Sequence, residues 1–169
     1  CDLTAENVNI SARGTDFDII YKGEKYPIHI QIPGKFSVYN AICAAGAALE
    51  LGIDMETIRK GLAAASGVTG RVEVVPTDTD YTVIIDYAHT PDGLENIIKC
   101  VKEFAKGRVI TLFGCGGDRD NTKRAIMGEN AGKYSDFSII TSDNPRTEDP
   151  VKIVEQIEEG MKRTNGKYT

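Results

Sequence analysis

Residues 109–141 read VITLFGCGGDRDNTKRAIMGENAGKYSDFSIIT, and their rhythm decides the fold. Val109–Phe113 is an apolar run of strand length, Gly114–Asp120 a glycine-rich turn, Thr122–Tyr134 a stretch with helical spacing, and Phe137–Thr141 a second short apolar run. Strand, turn, helix and strand in that order predict an α/β fold, a Rossmann-like parallel sheet with covering helices. Upstream, Tyr81–Asp86 is a further β-branched strand. Thr90-Pro91 then offers a helix cap and a first-turn proline, and Leu94, Ile97, Ile98, Val101 and Phe104 form that helix's apolar face. Downstream, a polar loop leads to a last helix from about Pro150 to Met161. Three strands fit this repeat, with Arg71–Val75 as an edge candidate. That is fewer than the roughly 5–6 of an average sheet, and no strand is expected after the last helix, so the sheet reads as cut short.

The first third of the chain follows a different pattern. Val8–Ala12, Phe17–Tyr21 and Lys25–Ile32 predict a strand hairpin or small meander turning at Lys22-Gly23, with Tyr26, Ile28, Ile30 and Ile32 on one face. Pro33-Gly34 breaks that pattern, and Ser37 is the expected cap of a helix bearing Val38, Ala41, Ile42, Ala45, Ala48 and Leu49 up to Gly52. A second helix starts at the Asp54 cap and carries Met55, Ile58, Leu62 and Ala65. Ser66–Gly70 has two glycines and no period, which makes it the expected linker. The organisation read from this is 1–66, a linker at 67–70, and 71–169.

Composition removes several function classes. The 169 residues are 41% hydrophobic and 27% charged, and no apolar run approaches the roughly 18 residues of a membrane span. The net charge of −5 is spread evenly, with no basic stripe to hold phosphates, so no nucleic acid and no membrane insertion is expected. Cys1, Cys43, Cys100 and Cys115 show no CxxC spacing, and His29 and His89 lie far apart, so a sequence-local zinc site is not expected. Cys43 and Cys100 fall within helical patterns and read as small buried apolar residues in a reducing, cytoplasmic setting. The chain begins at Cys1 with no charged leader, and reads as a piece of a longer polypeptide.

Ligands of open α/β sheets bind beyond the carboxyl ends of the strands, so three loops are expected on one rim. They are Asp86-Tyr-Ala-His89-Thr90-Pro91-Asp92, Gly114-Cys-Gly-Gly-Asp118-Arg119-Asp120 and Asp143-Asn144-Pro145-Arg146-Thr147. Thr90, Pro91 and Asp92 are explained by helix-start chemistry alone. Asp86, an acid closing an apolar strand, is a candidate for a ribose or phosphate contact. The glycine loop is no nucleotide fingerprint: GxGxxG placed at Gly114 meets Arg119 in its last position, and no GxxxxGK[ST] occurs. Its Gly116 and Gly117 either bring backbone N–H groups to an anion or only make a tight turn. In the third loop, Asp143, Asn144 and Arg146 around Pro145 are suited to grip an amino acid, acid to ammonium and guanidinium to carboxylate. The competing reading is an Asx-Pro turn with Arg146 in solvent.

Taken together, GRVE at 70–73, DYAHTPD at 86–92, FGCGGDRD at 113–120, Lys123-Arg124 with Met127-Gly128, and TSDNPRTEDP at 141–150 resemble the Mur ligases of peptidoglycan synthesis. The similarity is strongest to the branch that adds diaminopimelate. The resemblance implies an ATP-dependent amide ligase that activates the D-glutamyl carboxyl of UDP-MurNAc-L-Ala-D-Glu as an acyl phosphate, which an amine of meso-diaminopimelate attacks. It implies that residues 1–66 are the end of a central ATP-binding domain and 71–169 most of the C-terminal domain. By the same resemblance Asn40, Arg71, Asp86 and His89 face ATP, and Arg119, Asp143, Asn144, Pro145 and Arg146 face diaminopimelate. Arg146 is the informative position, because a guanidinium can bind the extra carboxylate that distinguishes diaminopimelate from lysine. The phosphate loop, magnesium ligands and UDP-binding domain are expected upstream of Cys1, and further diaminopimelate contacts beyond Thr169. No catalytic residue or metal ligand is therefore expected here, and this stretch alone is expected to be inactive. Two alternatives stand beside this reading: a related ligase adding lysine or another amino acid, and a non-catalytic α/β module binding an anion or amino acid.

Overall fold

A computed structural model describes residues 2–169; Cys1 lies outside the described residues. The chain divides into two compact units, one up to Tyr87 and one spanning Ala88–Thr169.

The first unit begins with an antiparallel meander, β1 (Leu3–Ser11), β2 (Gly14–Tyr21) and β3 (Glu24–Ile30), in the order β1-β2-β3. β1 starts five residues before the run that the alternation marks, because Leu3–Glu6 pairs with Asp18–Tyr21 and the register shifts only between Glu6 and Asn9. The β2–β3 connection is Lys22-Gly23, both with positive φ (51° and 82°), the two-residue turn whose twist suits a hairpin. Phe17, Ile19, Ile28 and Ile30 face inward and pack with Val38, Ala41 and Ala45 of α1 (Lys35–Glu50) and Met55 and Ile58 of α2 (Met55–Ala64).

The start of α1 differs from expectation. Gly34 rather than Ser37 occupies the cap position, and Ser37 lies buried in the first turn, its hydroxyl donating to the Pro33 carbonyl. A serine that turns back to a carbonyl four residues earlier cannot cap the amides ahead of it. Asp54 does cap α2, accepting from the Thr57 amide at 3.0 Å. Cys43 is exposed on α1, contrary to its reading as a buried residue, because it lies off the face formed by Val38, Ala41 and Ala45; Cys100 is buried as expected.

β4 (Glu73–Val75) and β5 (Val83–Ile85) form an antiparallel pair within this first unit. This corrects the expectation that Tyr81–Asp86 joins the parallel repeat: its hydrogen bonds go back to the edge candidate instead. Alternation and β-branching identify a strand but not its partner.

The second unit carries the parallel element. α3 (Pro91–Phe104) starts as expected, with Thr90 accepting from the Gly93 amide and Pro91 in the first turn. β6 (Ile110–Phe113) and β7 (Phe137–Ile140) pair in parallel, joined through α4 (Thr122–Tyr134), and α5 (Pro150–Met161) follows. Leu94 and Ile98 of α3, Phe113, Met127 and Ala131 of α4, and Ile153, Ile157 and Met161 of α5 form one core. Side chains of the isoleucine and methionine class stabilise by about 1.5–3 kcal/mol each when fully buried. α4 and α5 cross closely where Gly128 meets the Ile157 carbonyl and Gly160 meets the Ala125 carbonyl.

Beyond α5 the structure again differs from expectation. Residues 167–169 lie parallel beside β7, with the Ser138 and Ile140 amides donating to Lys167 and Thr169 carbonyls at 2.9 Å. Three residues without an apolar alternation carry no strand signal in sequence.

Candidate functional site

The parallel register brings the loops after β6 and β7 to one rim of the second unit. Of the third expected loop, Asp86 and Tyr87 belong to the first unit and His89 to the second.

The two rim loops are knitted together by their backbones. An alanine at Gly114 would place its Cβ 2.4 Å from the Thr141 carbonyl oxygen, and one at Gly117 only 1.9 Å from that of Pro145. The Gly117 amide donates to the Asn144 carbonyl at 2.8 Å. Of the two readings of these glycines, the tight-packing one holds at Gly117, whose N–H is already taken. The start of α4 is likewise occupied, because the Asp120 carboxylate accepts from the Thr122 amide and hydroxyl, and these bonds hold its pKa below the usual range.

Two non-glycine residues adopt left-handed backbone on this rim, Asp118 (φ 52°) and Arg146 (φ 51°). Such residues are uncommon and persist only where their surroundings over-determine them. The Asp118 carboxylate accepts from the Thr147 amide at 3.2 Å and from its hydroxyl at 2.7 Å, and the Asp118 amide donates to Glu148 Oε1 at 2.6 Å. The Arg146 amide donates to Asn144 Oδ1 at 3.3 Å, the Asx turn that the sequence offered as one reading.

Below the loops lies Arg124, fully buried. Its Nη1 donates to Glu148 Oε2 at 2.8 Å and Gln156 Oε1 at 2.7 Å, and its Nη2 to Glu148 Oε1 at 2.9 Å and the Gly116 carbonyl at 3.1 Å. Sequence reasoning gave Arg124 and Glu148 no role, yet a signal existed. Arg124 stands three, four and seven positions before Met127, Gly128 and Ala131, the buried face of its own helix. An arginine on an apolar face needs a partner inside.

The Arg124 fork, with help from the Asp118 amide, holds the Glu148 carboxyl down from 4.5 to about 2. Stability from this contact is therefore complete above about 4.5 and is lost as pH falls towards about 2. Urea unfolding should show the wild-type midpoint falling more steeply across that window than the midpoint of Glu148→Gln. Parallel curves would remove this pair from the acid response.

The residues expected to meet a ligand are placed as follows. Arg119, Asp143 and Arg146 are exposed on the rim, and their side chains make no hydrogen bond or ion pair among the described residues; Asn144 is exposed, Pro145 half-buried. Two guanidinium groups and a carboxylate on fixed backbone suit a zwitterion with extra negative charge. Cys115 is buried, and burial pushes its thiol up, which disfavours the nucleophilic thiolate. In the first unit, Asn40 is exposed on α1. Arg71 lies 4.9 Å from the Tyr87 ring centroid, and the Asp86 carboxylate accepts from the Val72 amide at 2.9 Å. Asp86 thus has a structural task at the strand end, holding Val72 in left-handed backbone (φ 46°). His89 accepts through its carbonyl from Lys123 at 2.7 Å. No group of three or more metal-ligating side chains occurs among the described residues, and no described helix is long and apolar enough to cross a membrane.

Comparison with known proteins is consistent along the chain. Residues 70–168 match the Mur ligase glutamate ligase domain, and residues 1–48 the Mur ligase middle domain. The chain is 52% identical over 166 residues to UDP-N-acetylmuramoyl-L-alanyl-D-glutamate–2,6-diaminopimelate ligase 1 of Clostridium acetobutylicum, covering 97% of this chain and 34% of the relative. It is 53% identical over 167 residues to the corresponding ligase of Clostridium botulinum, covering 98% and 35%. Among solved structures, a UDP-N-acetylmuramoyl-L-alanyl-D-glutamate–2,6-diaminopimelate ligase aligns with a TM-score of 0.70 at 32% identity, over 99% of this chain and 34% of that one. A folylpolyglutamate synthase from Thermotoga maritima aligns at 0.77 with 21% identity, over 99% and 39%, a likeness of fold alone. The chain spans about a third of the length of the curated relatives it matches.

Proposed function

Since the chain belongs to the Mur ligase family, we propose that it grips nucleotide and amino acid within an ATP-dependent ligase that joins meso-diaminopimelate to UDP-N-acetylmuramoyl-L-alanyl-D-glutamate. The observation that carries this reading is the rim of the second unit, where exposed Arg119, Asp143 and Arg146 stand on backbone fixed by Gly117, Asp118 and Thr147. About half identity to ligases whose names state both substrates supports it.

In this reading Arg146 binds the carboxylate at the non-reacting end of diaminopimelate, Arg119 contributes the second positive charge, and Asp143 meets an ammonium. Asn144, through its carbonyl and its side-chain oxygen, and Pro145, through its carbonyl, fix the loop that meets the ligand. Residues 1–66 belong to the middle domain and 71–169 to the C-terminal domain, with a linker at 67–70 where Gly67 and Gly70 both have positive φ. Asn40, Arg71, Asp86 and His89 would hold ATP. Arg71 suits a phosphate, its guanidinium exposed and leaning on Tyr87. Asp86 shapes the turn beside it. ATP supplies the phosphoryl group that activates the acceptor carboxyl, and magnesium is assigned to no residue of this chain. The three described cysteines are free thiols, in keeping with a cytoplasmic setting.

The test uses the complete ligase polypeptide carrying this chain. Phosphate release should require ATP, UDP-N-acetylmuramoyl-L-alanyl-D-glutamate and diaminopimelate together, with product mass increased by one diaminopimelyl group. Equal turnover with lysine would overturn the specificity, and no turnover with any amino acid would overturn the ligase reading.

A further inference from the structure

We propose that Arg124 is a positioning residue for amino-acid selection, a buried fork that sets the spacing between the Arg119 and Arg146 guanidinium groups. The proposal rests on the ligase reading above and deepens it. Arg124 reaches both rim loops at once, the first through the Gly116 carbonyl and the second through both oxygens of Glu148, and it is braced from α5 by Gln156. Glu148 passes the contact on by accepting from the Asp118 amide, and Asp118 in turn binds Thr147 through amide and hydroxyl. Arg119 directly follows Asp118 and Arg146 directly precedes Thr147. The two candidate carboxylate-binding residues are thus each one peptide unit from the same hydrogen-bonded pair.

Chemistry favours arginine for this task. Four of its N–H donors are engaged on three residues in a planar array, whereas a lysine in its place offers a single compact charge with three donors. A lysine can neutralise Glu148 but cannot reach Glu148, Gln156 and Gly116 together in that geometry. The guanidinium is fully buried, and its Nε has no hydrogen-bond partner, so it does not itself meet substrate. Its effect on an amino-acid ligand travels through the loops. A ligand with two carboxylates needs both guanidinium groups at a fixed separation, while a monocarboxylate amino acid needs only one. Loosening the fork therefore weakens the first more than the second.

The experiment compares Arg124→Lys and Glu148→Gln in the complete ligase polypeptide, both chosen to preserve bulk so that the fold survives. In Arg124→Lys the KM for diaminopimelate should rise about tenfold or more while the KM for ATP and for the UDP-linked acceptor changes less than about twofold. Glu148→Gln should shift the same parameter in the same direction, and the double variant should be no worse than Arg124→Lys alone, since both act through one contact. Amide hydrogen exchange should accelerate at Gly117, Asp118 and Thr147 but not at Ile157 or Ala131 in the core. Parallel rises in all three KM values, or unchanged exchange at those loop amides, would overturn the proposal. If the unsubstituted enzyme proves not to use diaminopimelate, the ligase reading fails on its own, and the exchange measurement still decides whether Arg124 holds the two loops together.

Discussion

Replacing Arg146 by alanine in the complete ligase polypeptide is expected to raise the KM for diaminopimelate by roughly 10- to 150-fold, equivalent to losing one charge-assisted contact of about 1.5–3 kcal/mol. The side chain is exposed and makes no hydrogen bond or ion pair among the described residues, so its removal leaves no buried group unpaired. Its backbone φ of 51° costs alanine no more than it costs arginine, and folding should be nearly unaffected. That separation makes the variant informative. Arg146→Lys should recover only part of the loss, because an ammonium cannot pair with a carboxylate through two parallel bonds. Diaminopimelate and lysine should respond differently, the first strongly and the second little. If both respond equally, Arg146 does not read the second carboxylate, and the reading of this chain as selective for diaminopimelate falls.

A second large effect is expected in stability rather than activity. Gly160→Ala would place a methyl 1.7 Å from the Ala125 carbonyl oxygen and force apart α4 and α5, which bury Met127, Ala131, Ile153, Ile157 and Met161 between them. Overpacking in a core costs about 1–3 kcal/mol when side chains can adjust, and here the obstacle is backbone, so a loss at or above about 3 kcal/mol is expected, enough to unfold a marginal domain. The opposite result is expected at Gly61, inside α2 with nothing within 4 Å of an added Cβ. Alanine there should stabilise by about 0.5–1 kcal/mol. Urea denaturation of the two variants checks both signs, and a Gly160→Ala protein as stable as wild type would show that the helices can slide apart at little cost.

The periodic parts of this fold were legible in sequence because local chemistry determines them. α4 and α5 have the bounds that spacing predicts, and the Thr90-Pro91 and Asp54 starts depend on hydrogen bonds spanning only three residues. Pairing was not legible. Val83–Ile85 looks like any other apolar strand, and its antiparallel partner Glu73–Val75 is fixed by the chain's return path rather than by either segment. Ser37 was misread for a related reason: a hydroxyl near a helix start can bond forward as a cap or backward to a carbonyl, and burial chose the second. At the site, the exposed charges Arg119, Asp143 and Arg146 stood out as unusual in their loops. The internal hub did not, because Arg124, Glu148 and Gln156 are distant in sequence and meet only when α4 and α5 pack.

The short run at 167–169 has a meaning for solubility. By accepting the Ser138 and Ile140 amides, it shields one margin of the parallel pair, and the Thr169 amide in turn caps the Ser138 carbonyl at 3.0 Å. A strand margin with unpaired amides is a template for a neighbouring molecule, and the apolar Phe137–Ile140 stretch would be a poor one to leave bare. Tyr168 anchors the run by packing against the core and donating its hydroxyl to Glu158 at 3.0 Å, so a polypeptide trimmed at Gly166 would lose that anchor, bare the margin and be prone to aggregate.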